Sequence, residues 1–321
     1  MPKEYIDLEA PIIELRDAIE NLKKSNSPDD LKKLQRLKEE LKKEWEKIKT
    51  LLTPWQVVQL ARHPMRPYTL DYIGYLFDDF LEIHGDRRFA DDPAIVAGLA
   101  SYKGQTVTVV GHQKGRTTKE KIFRNFGMPN PEGYRKALRV MKLGEKFGFP
   151  VVSFIDTPGA YAGVGAEERG QAEAIAYNLR EMSRLKVPVI IFVIGEGGSG
   201  GALAIGIGDL IYMLEFSIYS VISPEGCAAI LWKNQSAIEN AADNLKPTAK
   251  ELKKFEIIDE IVPEPPGGSH SDYEEMAKII DSYLEKGLKE LSRIPFEERI
   301  NRRIDKFRKM GVFIQQKEAI N

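Results

Sequence analysis

The apolar run Val187-Pro188-Val189-Ile190-Ile191-Phe192-Val193-Ile194 passes directly into Gly195-Glu196-Gly197-Gly198-Ser199-Gly200-Gly201 and then into Ala202-Leu203-Ala204-Ile205. That order reads as a strand, a tight turn and a helix of small residues. Three chemistries fit the turn. Gly195, Gly197 and Gly200 spell G-x-G-x-x-G, and Glu215 lies about 20 residues on, as a dinucleotide site requires. Gly197, Ser199 and Gly201 spell G-x-S-x-G, the elbow of a serine hydrolase. In the third reading no side chain acts: bare backbone N–H groups at a helix start stabilise an oxygen that becomes negative during reaction. Glycines that merely let strand and helix pack closely would give the same pattern.

The remaining elements indicate a layered α/β fold. Ala94–Ala100 and Gln105–Val110 flank Lys103-Gly104 as a β-hairpin. Strands expected at Val151–Ile155, Pro188–Ile194 and Leu210–Leu214 then alternate with helices near Pro131–Phe147, Ala166–Leu185 and Gly200–Ile207. Ile257–Val262 reads as a late strand, and helices follow from Ser271. Upstream, Leu31, Leu34, Leu37, Leu41, Trp45, Ile48 and Leu52 recur at helical spacing behind Ser27 and Pro28. Ile12, Ile13, Leu15, Ile19 and Leu22 predict a shorter helix, folded back through a polar turn from Lys23 to Pro28. Thr53-Pro54 starts another helix, and Thr69 is expected to cap one running through Phe80.

Of the 321 residues 42% are apolar, enough for a substantial core, and 47 Lys plus Arg balance 48 Asp plus Glu. No global field recruits nucleic acid or an anionic membrane, so an anionic substrate must meet a local cluster. The longest apolar run is too short to span a bilayer and the opening residues do not resemble a secretory signal, so a cytoplasmic location is expected. The lone cysteine, Cys227, leaves no internal disulfide and no cysteine-cluster zinc site in the chain, and its alanine neighbours suggest packing.

Asp156-Thr157-Pro158-Gly159 resembles the magnesium-binding segment of a GTPase, but the chain has no Gly-Lys-Ser or Gly-Lys-Thr to make a P-loop. A serine hydrolase using Ser199 would depend on His270, the one histidine that follows it, set in a Pro/Gly loop. A dinucleotide-binding βαβ unit normally opens its domain, whereas here a hairpin and a βα unit come first. Glycine-bearing loops recur at successive strand ends, at Gly111–Gly115, Asp156–Gly165, Gly195–Gly201 and Ser220–Gly226. Such loops offer peptide N–H groups more than acids and bases, which suits formation of an oxyanion.

The stretches Gly111–Arg116, Arg124–Met128, Phe154–Tyr161, Gly163–Gln171, Gly195–Gly201 and Ser223–Ala228 together resemble the carboxyltransferase α-subunit family of bacterial acetyl-coenzyme A carboxylase. The N-terminal helical hairpin and Asn301-Arg302-Arg303 resemble that family too, so the likeness covers nearly the whole chain. It implies an α/β crotonase-like (ClpP/crotonase) fold of ββα units over residues 53–292, preceded by the helical hairpin (1–52) and followed by a C-terminal helical extension (293–321). It also implies transfer of the carboxyl group from carboxybiotin to acetyl-CoA, giving malonyl-CoA in the first committed step of fatty-acid synthesis.

The resemblance further implies a β subunit of related fold carrying a zinc ribbon, in an α2β2 arrangement, with a biotin carboxyl carrier protein and an ATP-using biotin carboxylase as the other components. This chain then holds no metal, no membrane segment and no dedicated nucleic-acid site. By the same likeness the N–H groups of Gly200 and Gly201 hold the biotin ureido oxygen as it becomes an enolate. Gly159, Ala160, Tyr161, Gly163, Gly198 and Ser199 shape the neighbouring substrate wall. Lys114 and Arg116 belong to a basic cluster that includes Lys119, Lys121 and Arg124, which reads either as a contact for coenzyme A phosphates or a β-subunit carboxylate or, for most of its members, as a solvated surface face. The serine hydrolase and a nucleotide-binding oxidoreductase remain the alternatives from other classes.

Overall fold

Alternating side chains sort the central strands between two helical layers. In the computed structural model, which describes residues 3–22 and 27–311, the strands are β1 (Asp78–Glu82), β2 (Ile95–Tyr102), β3 (Gln105–His112), β4 (Val151–Thr157), β5 (Val189–Gly198), β6 (Leu210–Leu214), β7 (Ile218–Ser220) and β8 (Glu260–Val262). The helices are α1 (Lys3–Leu22), α2 (Pro28–Leu51), α3 (Pro54–Ala61), α4 (Thr69–Leu76), α5 (Thr118–Phe123), α6 (Pro131–Phe147), α7 (Val164–Glu168), α8 (Gln171–Ser183), α9 (Ser199–Leu203), α10 (Pro224–Leu231), α11 (Ile238–Leu245), α12 (Ala249–Lys254), α13 (Tyr273–Leu291) and α14 (Phe296–Lys309).

The sheet order is β1-β2-β3-β4-β5-β6-β8, with β7 joining the end of β5. β1, β2 and β3 are antiparallel neighbours, and every pairing from β3 onward is parallel. Lys103 and Gly104 turn the β2–β3 hairpin with φ of 48° and 82°, the left-handed pair that matches strand twist. Val151 and Ile155 face a core built with Tyr134 and Met141 of α6 and Met182 of α8. Val152 and Phe154 face the opposite core, with Tyr72 of α4 and Ile280 and Leu284 of α13. Burial on both faces explains why β4 and β5 read as mostly apolar runs, Ser153 of β4 being satisfied by donating to the Ile205 carbonyl.

The helices α1 and α2 share a small core of Ile12, Ile19, Leu41 and Trp45, closed by Leu60 and Phe216. The turn expected between them lies, from Lys23 to Asn26, outside the described residues. Helix α14 is held through Arg303, whose buried guanidinium meets both oxygens of Asp209 at 2.7 and 2.8 Å and the Met182 carbonyl at 2.6 Å.

Several boundaries differ from expectation for local reasons. Thr69 is the first residue of α4, its hydroxyl donating to the His112 carbonyl, while Asp71 accepts the Tyr68 N–H at 2.7 Å. The chain leaves the helix at Phe77, so Phe80 lies in β1. The helix expected over 166–185 is broken at Gly170, which is left-handed at φ 84°. The late strand begins only at Glu260. Strand β5 continues through Gly198 because β7 pairs with Glu196–Gly198, and α9 stops at Leu203, four residues short of the expected end.

Candidate active site

Because β3, β4, β5 and β6 run parallel, the segments that follow them gather at one edge of the sheet, where open α/β folds place their ligands. At the end of β5 the backbone changes from extended at Gly198 to left-handed at Ser199, φ 50°, and enters α9. Left-handed backbone is costly for a serine and persists where surrounding structure imposes it. The surroundings are tight. A Cβ on Gly198 would overlap the Pro158 carbonyl, and one on Gly201 would lie 2.5 Å from the Ala160 nitrogen and the Gly159 carbonyl carbon. The turn is therefore pressed against Thr157–Ala160, and only residues without a side chain fit at 198 and 201. At Gly200 the nearest atom is Ile175 Cδ1 of α8, at 3.4 Å. N–H groups in the first turn of a helix have no partner within it, so those of Ser199, Gly200 and Gly201 are the donors this turn offers.

The facing wall is organised by Thr157 and Gln171. The Thr157 hydroxyl accepts the Gly159 N–H at 3.1 Å and lies 2.7 Å from the Gly127 carbonyl. Gln171 donates to the carbonyls of Tyr161 at 2.8 Å and Pro129 at 2.9 Å. The Tyr161 ring lies on Gly163, where a Cβ would sit 2.7 Å from its Cζ, and the residue is partly exposed. The structure thus brings Gly159, Ala160, Gly198, Ser199, Gly200 and Gly201 together, with Tyr161 and Gly163 on the same loop.

Behind the turn is a relay of charges, buried at Asp156 and Glu196 and reaching the surface at Glu225. Lys114 Nζ lies 2.7 Å from Asp156 Oδ1 and 2.8 Å from Glu196 Oε1. The other Glu196 oxygen takes Arg62 Nε at 2.6 Å, and Arg62 continues to Glu225 at 2.5 Å at the start of α10. Burial opposes ionisation of Glu196, but the Lys114 and Arg62 charges overcome it and hold its carboxyl down at about 2. Burial likewise opposes the Lys114 charge, and Asp156 and Glu196 more than offset it, raising the ammonium pKa. Lys114 thus spends its charge inside the protein. Arg116 pairs with Asp71 at 2.6 Å and lies over the Tyr68 ring.

His112, fully buried at the end of β3, accepts the Asp156 N–H at Nδ1 (3.4 Å). Burial and then the Lys114 charge push its imidazole down to about 3, so it stays neutral.

Residues on which other chemistries depended are engaged elsewhere. His270 stacks on His63, ring centroids 3.7 Å apart, and Glu215 pairs with Lys49 at 3.3 Å while accepting the Glu264 N–H. Asp156 was visible in the sequence as part of a GTPase-like string and of the Phe154–Tyr161 stretch, and Glu196 as a turn residue, neither with a role of its own. Arg62 lay in no motif, and Glu225 only within the Ser223–Ala228 stretch. The available signal was acidic residues interrupting the glycine-bearing ends of two apolar strands.

The fold is of the crotonase-like type, shared with several solved chains. A chain of a Pseudomonas malonate decarboxylase hetero-tetramer, in complex with coenzyme A, superposes with a TM-score of 0.56 at 15% identity, covering 68% of this chain and 86% of that one. The β subunit of a P. aeruginosa geranyl-CoA carboxylase gives 0.55 at 17% identity, and transcarboxylase 12S gives 0.54 at 20%. They cover 78% and 68% of this chain, which spans only 46% and 42% of those longer chains.

Residues 5–311 match the acetyl co-enzyme A carboxylase carboxyltransferase-like family. The chain is 57% identical over 322 residues to the acetyl-coenzyme A carboxylase carboxyl transferase subunit α of Halalkalibacterium halodurans, covering 98% of each. It is 63% identical over 264 residues to that of Geobacter sulfurreducens, covering 82% of this chain and 83% of the relative. The chain belongs to the α-subunit family of the acetyl-CoA carboxylase carboxyltransferase, and the hydrolase and oxidoreductase readings have no support.

Proposed function

We propose that this chain, joined to a β subunit in an α2β2 particle of the cytoplasm, moves the carboxyl group of carboxybiotin to the methyl carbon of acetyl-CoA. The carboxybiotin arrives on a carrier protein loaded by an ATP-using biotin carboxylase, and zinc belongs to the β subunit. The observation that carries the reading is the α9 turn, whose close packing at Gly198 and Gly201 orients the N–H groups of Gly200 and Gly201. Donors fixed before reaction stabilise developing negative charge at little reorganisation cost, and one such donor is worth about 3 kcal/mol. The ureido oxygen of biotin is where that charge builds when the carboxyl group leaves as CO2, and the enolate so formed is the acceptor of the acetyl-CoA methyl proton, which frees the methyl carbon to bond to CO2.

Gly159, Ala160, Tyr161 and Gly163 form the wall beside this oxygen, with Gly198 and Ser199 at its base. The ring of Tyr161 supplies a flat apolar surface for a small heterocycle. His112 is neutral and buried, and Lys114 is ion-paired, so neither is called on as a base. We assign Lys114 to holding the strand ends, and Arg116 to the rim. Reconstitution tests the reading: the chain with a β subunit should form malonyl-CoA, and the isolated chain should not. Comparable turnover by the isolated chain would refute it.

A further inference from the structure

Asp156 stands at an irregularity in the sheet that the α9 turn depends on. Between the pairs Ile155↔Val193 and Thr157↔Gly197, β4 contributes one residue, Asp156, and β5 contributes three. Strand β5 therefore bulges at Ile194–Glu196, and a bulge next to a site re-aims the chain that leaves it. The Asp156 side chain fills the gap. Its Oδ1 accepts the Glu196 N–H at 2.9 Å, a ladder bond made by a side chain in place of a backbone carbonyl. A Cβ at position 195 would overlap the same carboxylate, which accounts for Gly195.

Two residues past Glu196 the chain reaches Gly198, and its direction there sets where the Gly200 and Gly201 N–H groups lie. Asp156 also opens the segment that becomes the Gly159–Gly163 wall, so one carboxylate ties both sides of the site together.

A buried charge pair is a poor choice if stability alone is at stake, since packed apolar residues of similar volume commonly do as well or better. Here each charge has a partner: Lys114 sits on Asp156 and Glu196, and Arg62 takes the second Glu196 oxygen and Glu225.

We propose that Asp156 is a positioning residue for carboxyl transfer, its carboxylate, neutralised by Lys114, replacing the missing ladder partner of Glu196 and thereby aiming the Gly200–Gly201 turn. This rests on the backbone-donor reading of that turn. Asp156 touches no reacting atom.

The test uses the complex reconstituted with the β subunit and two charge-matched double variants. Lys114→Met with Asp156→Asn keeps an oxygen to accept the Glu196 N–H. Lys114→Met with Asp156→Val removes it. Misplacement of catalytic groups by about 1 Å costs on the order of 100-fold. The valine pair should therefore lose about 10- to 100-fold in kcat relative to the asparagine pair, with KM for acetyl-CoA within about threefold. Hydrogen exchange at the Glu196 amide should be faster in the valine pair at matched global stability. Equal kcat and equal Glu196 exchange in the two pairs would overturn the proposal, as would a loss confined to KM. Gly201→Ala, measured alongside, separates the two levels. If it is fully active, the donor reading fails, whereas if it is crippled while the two pairs match, only the role of Asp156 fails.

Discussion

Gly201 and Ala160 are in contact through their backbones: a methyl group built on Gly201 would lie 2.5 Å from the Ala160 nitrogen, whereas one built on Gly200 meets only Ile175, at 3.4 Å. The two glycines are chemically alike in sequence and differ in the room they have. Overpacking costs about 1–3 kcal/mol, while alanine replacing glycine within a helix gains up to about 1 kcal/mol. Gly201→Ala should lower the denaturant midpoint and Gly200→Ala should leave it unchanged or raise it. Equal destabilisation by both would show that the loop packing described at Gly201 is wrong.

His112 gives the stability curve a pH dependence with a defined sign. Its pKa lies at about 3 in the fold against 6.5 for the free side chain, because burial and then Lys114 disfavour the cation. Between those values the unfolded chain binds the extra proton. The stability contributed by neutral His112 is therefore complete above about pH 6.5 and falls towards pH 3, by up to about 1.4 kcal/mol per pH unit. Urea unfolding at stepped pH should show that slope in the parent protein and a shallower one in His112→Gln. Parallel profiles would remove His112 from the account.

Arg66 and Glu264 form a buried bidentate pair, with nitrogen–oxygen distances of 2.9 and 2.5 Å, and Glu264 also accepts the N–H groups of Phe216 and Ser269. Arg66 Nε donates to the Ile194 carbonyl in the β5 bulge. Removing one member strands the other charge, which costs about 3–5 kcal/mol. Glu264→Ala should show a loss of that size in denaturant unfolding, and a loss under about 1 kcal/mol would mean that water or a new partner replaces the carboxylate.

The sheet was legible because β4, β5 and β6 are short apolar runs bounded by glycine and proline, and the β2–β3 hairpin because Lys103-Gly104 supplies the backbone its turn requires. Strands β1 and β7 were not. β1 follows a helix without a breaking residue, and β7 is a strand only because the β5 bulge leaves Glu196–Gly198 in need of a partner. The helix that breaks at Gly170 keeps an acidic and alanine-rich pattern across the break, and the glycine itself, the residue type that takes left-handed backbone, was the one local sign of it.

The site divides in the same way. Its glycines are contiguous in sequence and were readable together. The relay joins Arg62, Lys114, Asp156, Glu196 and Glu225, partners 40 to 163 residues apart in the chain, which only the folded sheet brings together. Lys114 in particular reads from sequence as a surface cation near a loop, and its burial between two carboxylates depends on the ends of two strands meeting there.

The central claim is that the backbone of the α9 turn, and not the Ser199 hydroxyl, serves carboxyl transfer. Its most direct test is kcat for malonyl-CoA formation by the complex carrying Gly201→Ala beside the one carrying Ser199→Ala. Displacement of a preorganised donor by the added methyl group predicts a fall of about 100- to 1000-fold for Gly201→Ala and a change within about threefold for Ser199→Ala. Wild-type turnover with Gly201→Ala, or abolished turnover with Ser199→Ala, would contradict it.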